Sequence, residues 1–339
     1  MRKRRSCAGV WVSEPKRIAI AGAGAIGLFV GGRLSAAGHD VTFLGRRRLA
    51  DEISAAGLHL TDVEGDAADF DSITYETDAA CLAEADVILV TVKSSATSDM
   101  GKSINQFAPS AKVISLQNGV TNAEMLRAVA PLADVRSGVV AFNVVQTGPG
   151  TFRKATSGGV QIEDASGTLV RDLNVPGLPV EGFADLKPVQ WGKLLVNLNN
   201  ALNALSGDTL HNQLQSREWR RVLADQMQET LAVLGAAGIK PARFTAAPAA
   251  LVPYILRLPT PLFRRIASQM LKIDPAARSS MQDDLHHGRL TEIDALQGAV
   301  LKLAKIHSVP CPVIHRVVDA IKAAEKAGPG APRLQPSEI

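Results

Sequence analysis

The sequence has few cysteines, and none of them has the spacing of a disulfide framework or a zinc site. Three cysteines occur in 339 residues without a C-x-x-C pair: Cys7, Cys81 and Cys311. The seven histidines include one adjacent pair, His286 and His287, without the cysteine or carboxylate spacing of a metal centre. This usage is typical of a reducing cytoplasm, and it predicts no metal site.

Long uncharged apolar runs are also missing, so we expect no membrane span, which needs roughly 18 to 20 such residues. Residues 1–15 start with a basic cluster but lack the apolar region of a secretory signal. We expect a disordered leader there, or a true start near Val10 or Val12. Residues 254–273 mix basic and apolar side chains, and their prolines favour a packed helix or a subunit contact over a membrane-surface helix.

The basic excess does not form a nucleic-acid binding face. The formal net charge is +4, and residues 2–5 alone carry four positive charges, which leaves 33 basic against 33 acidic residues elsewhere. A hydrophobic content of 46% with 21% charged residues is ordinary for a globular chain, and the length suffices for two domains. The sequence contains no internal repeat, and it leaves open whether the chain is a monomer or a homodimer.

Near the start of the chain, an apolar strand, a glycine turn and a helix follow one another without a gap. After the strand at residues 18–21, the turn has the spacing G-x-G-x-x-G over Gly22, Ala23, Gly24, Ala25, Ile26 and Gly27. Gly22 permits the tight turn, Gly24 leaves room for a pyrophosphate, and Gly27 lets the helix pack close to the strand. The pyrophosphate would meet free N–H groups at the helix start. The segment predicts a dinucleotide site.

The second strand, residues 41–44, lacks the acid that usually follows it in NAD enzymes. Gly45, Arg46, Arg47 and Arg48 come next instead. An acid there binds the ribose 2′-hydroxyl and would repel a 2′-phosphate, whereas a guanidinium binds phosphate through paired charge-assisted hydrogen bonds. We therefore predict NADP(H) as the cofactor, with Arg46 as a ligand. The alternative is that the three arginines only solvate a helix start.

Strand and helix patterns alternate up to about residue 185, which indicates a parallel sheet covered on both faces. Residues 138–163 contain glycine turns and predict antiparallel strands at the edge of this sheet. From Gln190 onward, i, i+3, i+4 patterns indicate helices. The predicted fold is α/β, an N-terminal Rossmann-type doubly wound sheet plus an all-helical C-terminal domain. The predicted divisions are a cofactor domain at 16–185, a substrate and catalytic domain at 186–325, and a disordered tail at 326–339.

Chemistry is expected at the carboxyl ends of the parallel strands, where the sheet would face the helical half. Lys93 follows one buried strand, and its charge can reach a cofactor or a substrate. Asn118 follows the next strand and precedes a glycine turn, so its amide can bind the nicotinamide ribose or a substrate oxygen. The alternative for each is a residue that solvates the strand end.

A third polar feature lies on the predicted helix at residues 191–205, which is otherwise apolar. At about 100° per residue, Asn197 lies about 40° round the helix from Lys193, and Asn200 lies about 20° off on the other side. A lysine and two amides on a buried face need partners, and a substrate carboxylate or carbonyl is one such partner. The alternative is that these side chains tie down a neighbouring loop.

The chain resembles the ketopantoate reductase (2-dehydropantoate 2-reductase) family from about Lys16 to Ala324. The motifs that carry the resemblance are the glycine turn with Arg46, Val-Lys93, Gln-Asn118-Gly, Trp-x-Lys193-Leu-x-Val-Asn197, Arg278-Ser-Ser280-Met-Gln-Asp and Thr291-Glu292-Ile-Asp-x-x-x-Gly298. The resemblance implies NADPH-dependent reduction of a 2-oxo acid to a 2-hydroxy acid, namely ketopantoate to (R)-pantoate in pantothenate and coenzyme A synthesis. It implies a Rossmann domain joined to a helical domain, and a small-molecule substrate.

The resemblance also implies roles for individual residues. Lys193 is then the general acid, Glu292 is a site carboxylate with catalytic and cofactor-side contacts, and Lys93 and Asn118 contact cofactor and substrate. Asn197 and Ser280 become substrate ligands, together with Asn200. The alternatives from residue type alone are that Ser280 is a helix cap, and that Glu292 is a first-turn acid of a helix whose Thr291 and Asp294 fit a capping box.

The chain departs from the family at one position. The family usually has a second asparagine four residues after the one matched to Asn197, and here that residue is Ala201. Either Asn200, one position earlier, replaces the missing amide, or the pocket takes another branched 2-oxo acid. A related hydroxy-acid dehydrogenase and a non-catalytic NADP(H) sensor remain as alternative functions.

Overall fold

The structure, a computed structural model, describes residues 14–268 and 277–339, which fall into two units. The first unit contains the described residues up to Gln117 together with Asn122–Leu186, and the second contains Asn118–Thr121 and Lys187–Ile339. Residues 1–13 of the predicted leader and residues 269–273 of the predicted 254–273 segment lie outside the described residues. No described helix is both long and apolar enough to cross a membrane.

The strands of the described residues all lie in the first unit. They are β1 (Arg17–Ala21), β2 (Asp40–Leu44), β3 (Leu58–Thr61), β4 (Ala67–Phe70), β5 (Thr74–Glu76), β6 (Val87–Val90), β7 (Lys112–Ser115), β8 (Asp134–Val140), β9 (Val144–Gly148), β10 (Thr151–Lys154), β11 (Val160–Glu163) and β12 (Val180–Phe183). The helices of this unit are α1 (Ala25–Ala36), α2 (Arg47–Ala56), α3 (Thr97–Phe107), α4 (Asn122–Val129) and α5 (Thr168–Leu173), with 3₁₀ turns at Ala79–Glu84 and Ser94–Ala96.

The main sheet has eight strands in the order β12-β11-β8-β7-β6-β1-β2-β5, and the run from β8 to β5 is parallel throughout. Side chains of β1 alternate between its two faces. Ile18 and Ile20 join a buried cluster with α1, and Ala19 and Ala21 join another with α3 and α4. Burial on both faces explains the near-continuous apolar strands, and it confirms the predicted doubly wound sheet.

The predicted antiparallel strands at residues 138–163 are only partly at the edge of this sheet. β11 pairs antiparallel with β8, as expected. The β9–β10 hairpin instead belongs to a second sheet of order β4-β3-β10-β9, in which β10 runs parallel to β3. Leu60 and Phe152 of this sheet are buried in the cluster around α1. The sequence pattern of these short strands did not reveal that they form a separate sheet.

The second unit is helical in its described part, which confirms the predicted all-helical half. Its helices are α6 (Lys187–Asn197), α7 (Asn199–Ser206), α8 (Leu210–Gln215), α9 (Arg217–Ala236), α10 (Val252–Arg257), α11 (Thr260–Ile266), α12 (Ser280–His286), α13 (Gln297–His307) and α14 (Pro312–Ala327), with 3₁₀ turns at Ala249–Leu251 and Pro336–Glu338. Their apolar faces meet in one buried cluster.

Two predictions for this unit were wrong. The helix predicted over residues 191–205 is interrupted at Leu198, whose carbonyl accepts a hydrogen bond from the buried Gln297 amide at 3.0 Å. The tail at 326–339, predicted as disordered from its glycines and prolines, is ordered. The Leu334 N–H donates to the Leu205 carbonyl at 2.9 Å, and Ile339 packs into the helical core, so two apolar residues anchor the segment.

Candidate active site

At the glycine turn between β1 and α1, the backbone passes close to the residues that follow β6. Gly22 has φ +116°, and a Cβ there would lie 2.5 Å from the Val92 nitrogen, so any side chain would clash. Thr91 fixes the turn, because its hydroxyl donates to the Gly22 carbonyl at 2.7 Å and its N–H donates to the Ala21 carbonyl at 2.9 Å. The sequence analysis did not identify Thr91. The only signal for its role was its position directly after β6.

Gly24 and Gly27 lie in opposite environments although they belong to the same turn. A Cβ on Gly27 would lie 2.5 Å from the Gly22 carbonyl oxygen, because α1 packs directly against the turn. A Cβ on Gly24 would meet no described atom within 4 Å. Gly24 precedes α1, which starts at Ala25 without a side-chain cap and therefore presents free N–H groups at its first turn. The remaining turn residues, Ala23 and Ile26, lie beside these groups.

The three arginines after β2 do not share one role. Arg47 and Arg48 pair with Asp51 and Glu52 one turn along α2, at 3.0 and 2.9 Å. Arg46 precedes the helix, is exposed, and its guanidinium has no hydrogen bond or ion pair within the described residues. The predicted solvated helix start therefore describes Arg47 and Arg48, and Arg46 remains available to an anion.

Lys93 follows the Thr91-Val92 pair that contacts the glycine turn, and it is exposed. A buried amide network holds the neighbouring strand ends. Gln117 donates to the Val92 carbonyl at 3.0 Å and to the Thr97 hydroxyl at 2.7 Å, and Thr97 donates to Asn122 at 3.0 Å. Sequence reasoning gave no role to Gln117, although a glutamine at the end of a buried strand must find partners.

Lys193, Asn118 and Glu292 form a chain of hydrogen bonds in the second unit. The Lys193 ammonium donates to the Asn118 Oδ1 at 2.8 Å, and the Asn118 amide donates to the Glu292 Oε2 at 3.1 Å. All three side chains are partly buried. A Cβ on Gly119, which has φ +98°, would lie 2.7 Å from the Ala295 carbonyl oxygen, so the Asn118 loop packs closely against the turn that carries Glu292.

Burial lowers the pKa of Lys193 to about 8, and the attraction of the nearby Glu292 carboxylate partly opposes this effect. A lysine with this pKa is protonated at neutral pH and still gives up its proton readily. The arrangement can therefore donate a proton to an oxygen that acquires negative charge. No described group of three His, Cys, Asp or Glu side chains could hold a metal ion.

The four asparagines of α6 and α7 divide into two pairs. Asn199 exchanges two hydrogen bonds with Gln213, and Asn203 binds the Asp208 carbonyl and the Ser279 N–H, so both are structural. The side chains of Asn197 and Asn200 are partly exposed and have no hydrogen-bond partner among the described residues. Asn197 lies one turn after Lys193 in α6, whereas Asn200 follows the interruption at Leu198 in α7.

Ser280 is the first residue of α12, and its side chain is exposed. Its predicted alternative role as the helix cap was wrong by one residue, because Ser279 is the cap and accepts from the Gln282 N–H at 3.2 Å. The Ser279 hydroxyl also donates to the Asn200 carbonyl at 3.0 Å. This bond brings Ser280 next to the segment that carries Asn200.

The helix predicted to begin near Glu292 starts later. α13 begins at Gln297, and Glu292 lies in a preceding turn, where the Ala295 and Leu296 N–H groups donate to its carbonyl at 3.0 and 3.1 Å. The predicted capping box is absent from this turn: the Thr291 hydroxyl accepts from the Ile293 N–H at 3.2 Å. The Glu292 side chain binds Asn118 instead of capping a helix.

Two family domains match most of the chain. Residues 18–167 match ketopantoate reductase PanE/ApbA, and residues 185–325 match the ketopantoate reductase PanE/ApbA C terminal domain. The chain belongs to the ketopantoate reductase family. Ala201 is fully buried in the helical core, whereas Asn200 beside it is not.

The chain matches relatives in the ketopantoate reductase family over nearly their whole length. A 2-dehydropantoate 2-reductase of Halobacterium salinarum is 27% identical over 321 residues, covering 92% of this chain and 100% of the relative. A crystal structure of a PanE/ApbA family ketopantoate reductase from Ralstonia eutropha JMP134 has 30% identity and a TM-score of 0.79, covering 92% of this chain and 99% of that one. D-mandelate dehydrogenase, solved with NADH and anilino(oxo)acetate, shares the fold at 21% identity, with a TM-score of 0.73 over 92% of this chain and 99% of that one.

Proposed function

We propose that this protein reduces a 2-oxo acid to a 2-hydroxy acid with NADPH, and that its substrate is ketopantoate, reduced to (R)-pantoate for pantothenate and coenzyme A synthesis. The observation that carries the proposal is the hydrogen-bonded chain from Lys193 through Asn118 to Glu292. Membership of the ketopantoate reductase family and the relatives named 2-dehydropantoate 2-reductase support the choice of substrate.

The residues of the first unit fit a dinucleotide with a 2′-phosphate. The open space at Gly24 and the uncapped start of α1 suit a pyrophosphate. A Cβ on Gly45 would lie 3.0 Å from the Ala23 Cβ, so Arg46 follows directly after a residue that touches the glycine turn. Its guanidinium, without a carboxylate partner in the described residues, suits the 2′-phosphate. Lys93 is a further cation for this site.

When bound, the nicotinamide supplies a hydride to the ketone carbon. The former carbonyl oxygen then carries negative charge, and Lys193 gives it the proton that completes the alcohol. Asn118 orients the ammonium through its Oδ1, and Glu292 holds the Asn118 amide, so that its oxygen rather than its nitrogen faces Lys193. The Glu292 charge favours the protonated form of Lys193 and partly offsets the effect of burial on its pKa.

The substrate ligands are Asn197, Asn200 and Ser280, together with Asn118. The amides of Asn197 and Asn200, which have no partner among the described residues, offer donors for the carboxylate of the oxo acid and acceptors for a hydroxyl. They supply orientation, which can contribute as much to the rate as the proton transfer itself. Asn200 takes the place of the amide that Ala201 lacks.

One observation favours a second candidate, a related reductase of another branched 2-oxo acid. Ala201 is buried in the helical core and cannot offer an amide to the terminal hydroxyl of ketopantoate. A substrate without that hydroxyl would bind equally well with alanine at position 201, whereas ketopantoate would need another residue, such as Asn200, to bind its hydroxyl.

Steady-state kinetics with a panel of oxo acids tests the proposal. NADPH oxidation is measured with ketopantoate, 2-oxoisovalerate, 2-oxobutyrate and pyruvate, with NADH as the control cofactor. We expect the highest kcat/KM for ketopantoate with NADPH. Activity confined to 2-oxoisovalerate would show that the substrate is not ketopantoate, but it would support the proposed reduction of a 2-oxo acid. NADPH binding without turnover of any oxo acid would indicate a non-catalytic sensor.

A further inference from the structure

The turn that carries Glu292 is held by a helix from the end of the chain. Thr291, the residue before Glu292, donates its N–H and its hydroxyl to the same Glu325 oxygen of α14, each at 2.8 Å. The Glu325 side chain keeps only 6% of its surface exposed. Two hydrogen bonds to a carboxylate shielded from water are stronger than neutral ones, so this contact fixes the start of the turn.

The same helix also contacts the other side of the turn. Lys322, one turn before Glu325, donates to Asp294 at 2.5 Å and lies 3.6 Å from the second Glu325 oxygen. This pair is largely exposed, since Asp294 keeps 72% of its side-chain surface, and it contributes little by itself. Its effect is to balance the charge of Glu325 and to keep that carboxylate turned towards Thr291.

Two hydrogen bonds connect this turn to Lys193. The Glu292 carboxylate accepts from the Asn118 amide, and the Asn118 oxygen accepts from the Lys193 ammonium. The backbone of Glu292 is fixed between its bonded neighbour Thr291 and the start of α13. A shift of the turn therefore moves the Glu292 charge, and with it the amide that orients Lys193.

We propose that Glu325 is a positioning residue of the reductase site: it holds the Glu292 turn through Thr291 and thereby sets the place of the Lys193 ammonium. The inference rests on the proposed function. Glu325 takes no part in the proton transfer itself. Supporting residues of this kind matter because a displacement of about 1 Å at a reacting group costs about a hundredfold in rate.

The test compares Glu325→Ala with the conservative Glu325→Gln, whose amide oxygen can still accept from Thr291. For Glu325→Ala we expect kcat/KM to fall about ten- to a hundredfold, while the alkaline limb of the pH profile moves to lower pH. The limb moves because Glu292, the charged neighbour that raises the pKa of Lys193, is no longer held close. Glu325→Gln should recover most of the activity. Asp319→Asn, exposed on the same helix, is the control for loss of a charge.

A second measurement does not depend on turnover. The rate of Lys193 acetylation is followed against pH by mass spectrometry without substrate, which reports the pKa of Lys193 directly. We expect a lower midpoint in Glu325→Ala than in the wild type, and a smaller shift in the same direction in Thr291→Val, which loses only the hydroxyl bond and serves if Glu325→Ala does not fold.

The two readouts separate the two hypotheses. A shifted Lys193 titration in a protein that reduces no oxo acid would support the positioning role and overturn the proposed function. An unchanged titration midpoint and an unchanged pH profile in folded Glu325→Ala or Thr291→Val would overturn the positioning role, whatever the substrate.

Discussion

Neighbouring arginines of identical chemistry have different partners in this protein. Arg47 is paired with Asp51 on its own helix, whereas the guanidinium of Arg46 has no partner in the described part of the chain. The sequence predicted a cationic cluster after β2, because both residues follow the strand. It could not predict which arginine is available, since that depends on where α2 begins and on the i, i+4 pairs of its first turn.

Replacing Arg46 tests the cofactor preference. We expect Arg46→Ala to weaken NADPH binding about ten- to a hundredfold, the value of a lost charge-assisted hydrogen bond, and to leave NADH binding nearly unchanged. Fluorescence titration of both nucleotides measures this, with Arg47→Ala as the matched control. Equal losses for NADPH and NADH would show that Arg46 does not bind the 2′-phosphate.

The pKa of Lys193 predicts the pH dependence of the reduction. A general acid works in its protonated form, so kcat/KM should be highest below pH 8 and fall as the pH rises through about 8. Glu292 raises the pKa of Lys193 by its charge, so Glu292→Gln should move the fall to lower pH. A pH profile of each protein checks the shift, with Asp319→Asn as the charge-loss control. A profile of Glu292→Gln that falls at higher pH would contradict the assignment.

At the site, residue types were easier to predict than their contacts. Lys193 and Asn118 stand out in the sequence because polar residues on a buried helix and at a buried strand end need partners. That they are partners of each other depends on residues 75 positions apart, and no local pattern contains this information. The cap of α12 is Ser279, whereas the sequence indicated Ser280. This error arose because a sequence pattern predicts helix boundaries only to within about one residue.

Among the elements, the strand-turn-helix segment at the start of the first unit was the most predictable. Its glycines are required by contacts within about 10 residues of sequence and by one neighbouring strand, so the local spacing is diagnostic. The second sheet and the interruption of the helix at Leu198 were not predictable. Each depends on a distant partner, β3 with β10 in one case and the Gln297 amide in the other.

Two glycine substitutions in this element should separate binding from folding. Gly24→Ala adds a methyl group to open space at φ −88°, so we expect an unchanged Tm but weaker NADPH binding, because the methyl occupies the pyrophosphate side. Gly27→Ala forces a methyl group to within 2.5 Å of the Gly22 carbonyl oxygen, so we expect a lower Tm. Thermal denaturation and NADPH titration of both variants check this. A lower Tm of Gly24→Ala with unchanged NADPH binding would contradict the assigned pyrophosphate position.

At the scale of the whole molecule, the fold class followed from the order of patterns along the chain, and the family match confirms it. The grouping of Asn118–Thr121 with the helical unit did not follow, because a short loop changes unit without any change in composition. The order of the tail was also missed, since two apolar residues suffice to anchor it. Single contacts between residues far apart in the sequence are the hardest to predict from the sequence.

The proposed function assigns separate tasks to the two units: residues of the first bind NADPH, and Lys193 of the second supplies the proton. A substitution at Lys193 should therefore remove turnover without removing cofactor binding. Lys240→Ala, exposed in the same unit, is the matched control for loss of an ammonium group.

The most direct test is Lys193→Ala, measured for NADPH affinity by fluorescence and for single-turnover reduction of ketopantoate by NADPH absorbance. We predict an NADPH Kd close to that of the wild type and a reduction rate lower by about two or more orders of magnitude, as loss of a general acid gives. Wild-type reduction by Lys193→Ala would contradict the account, because the proton would then have to come from another group.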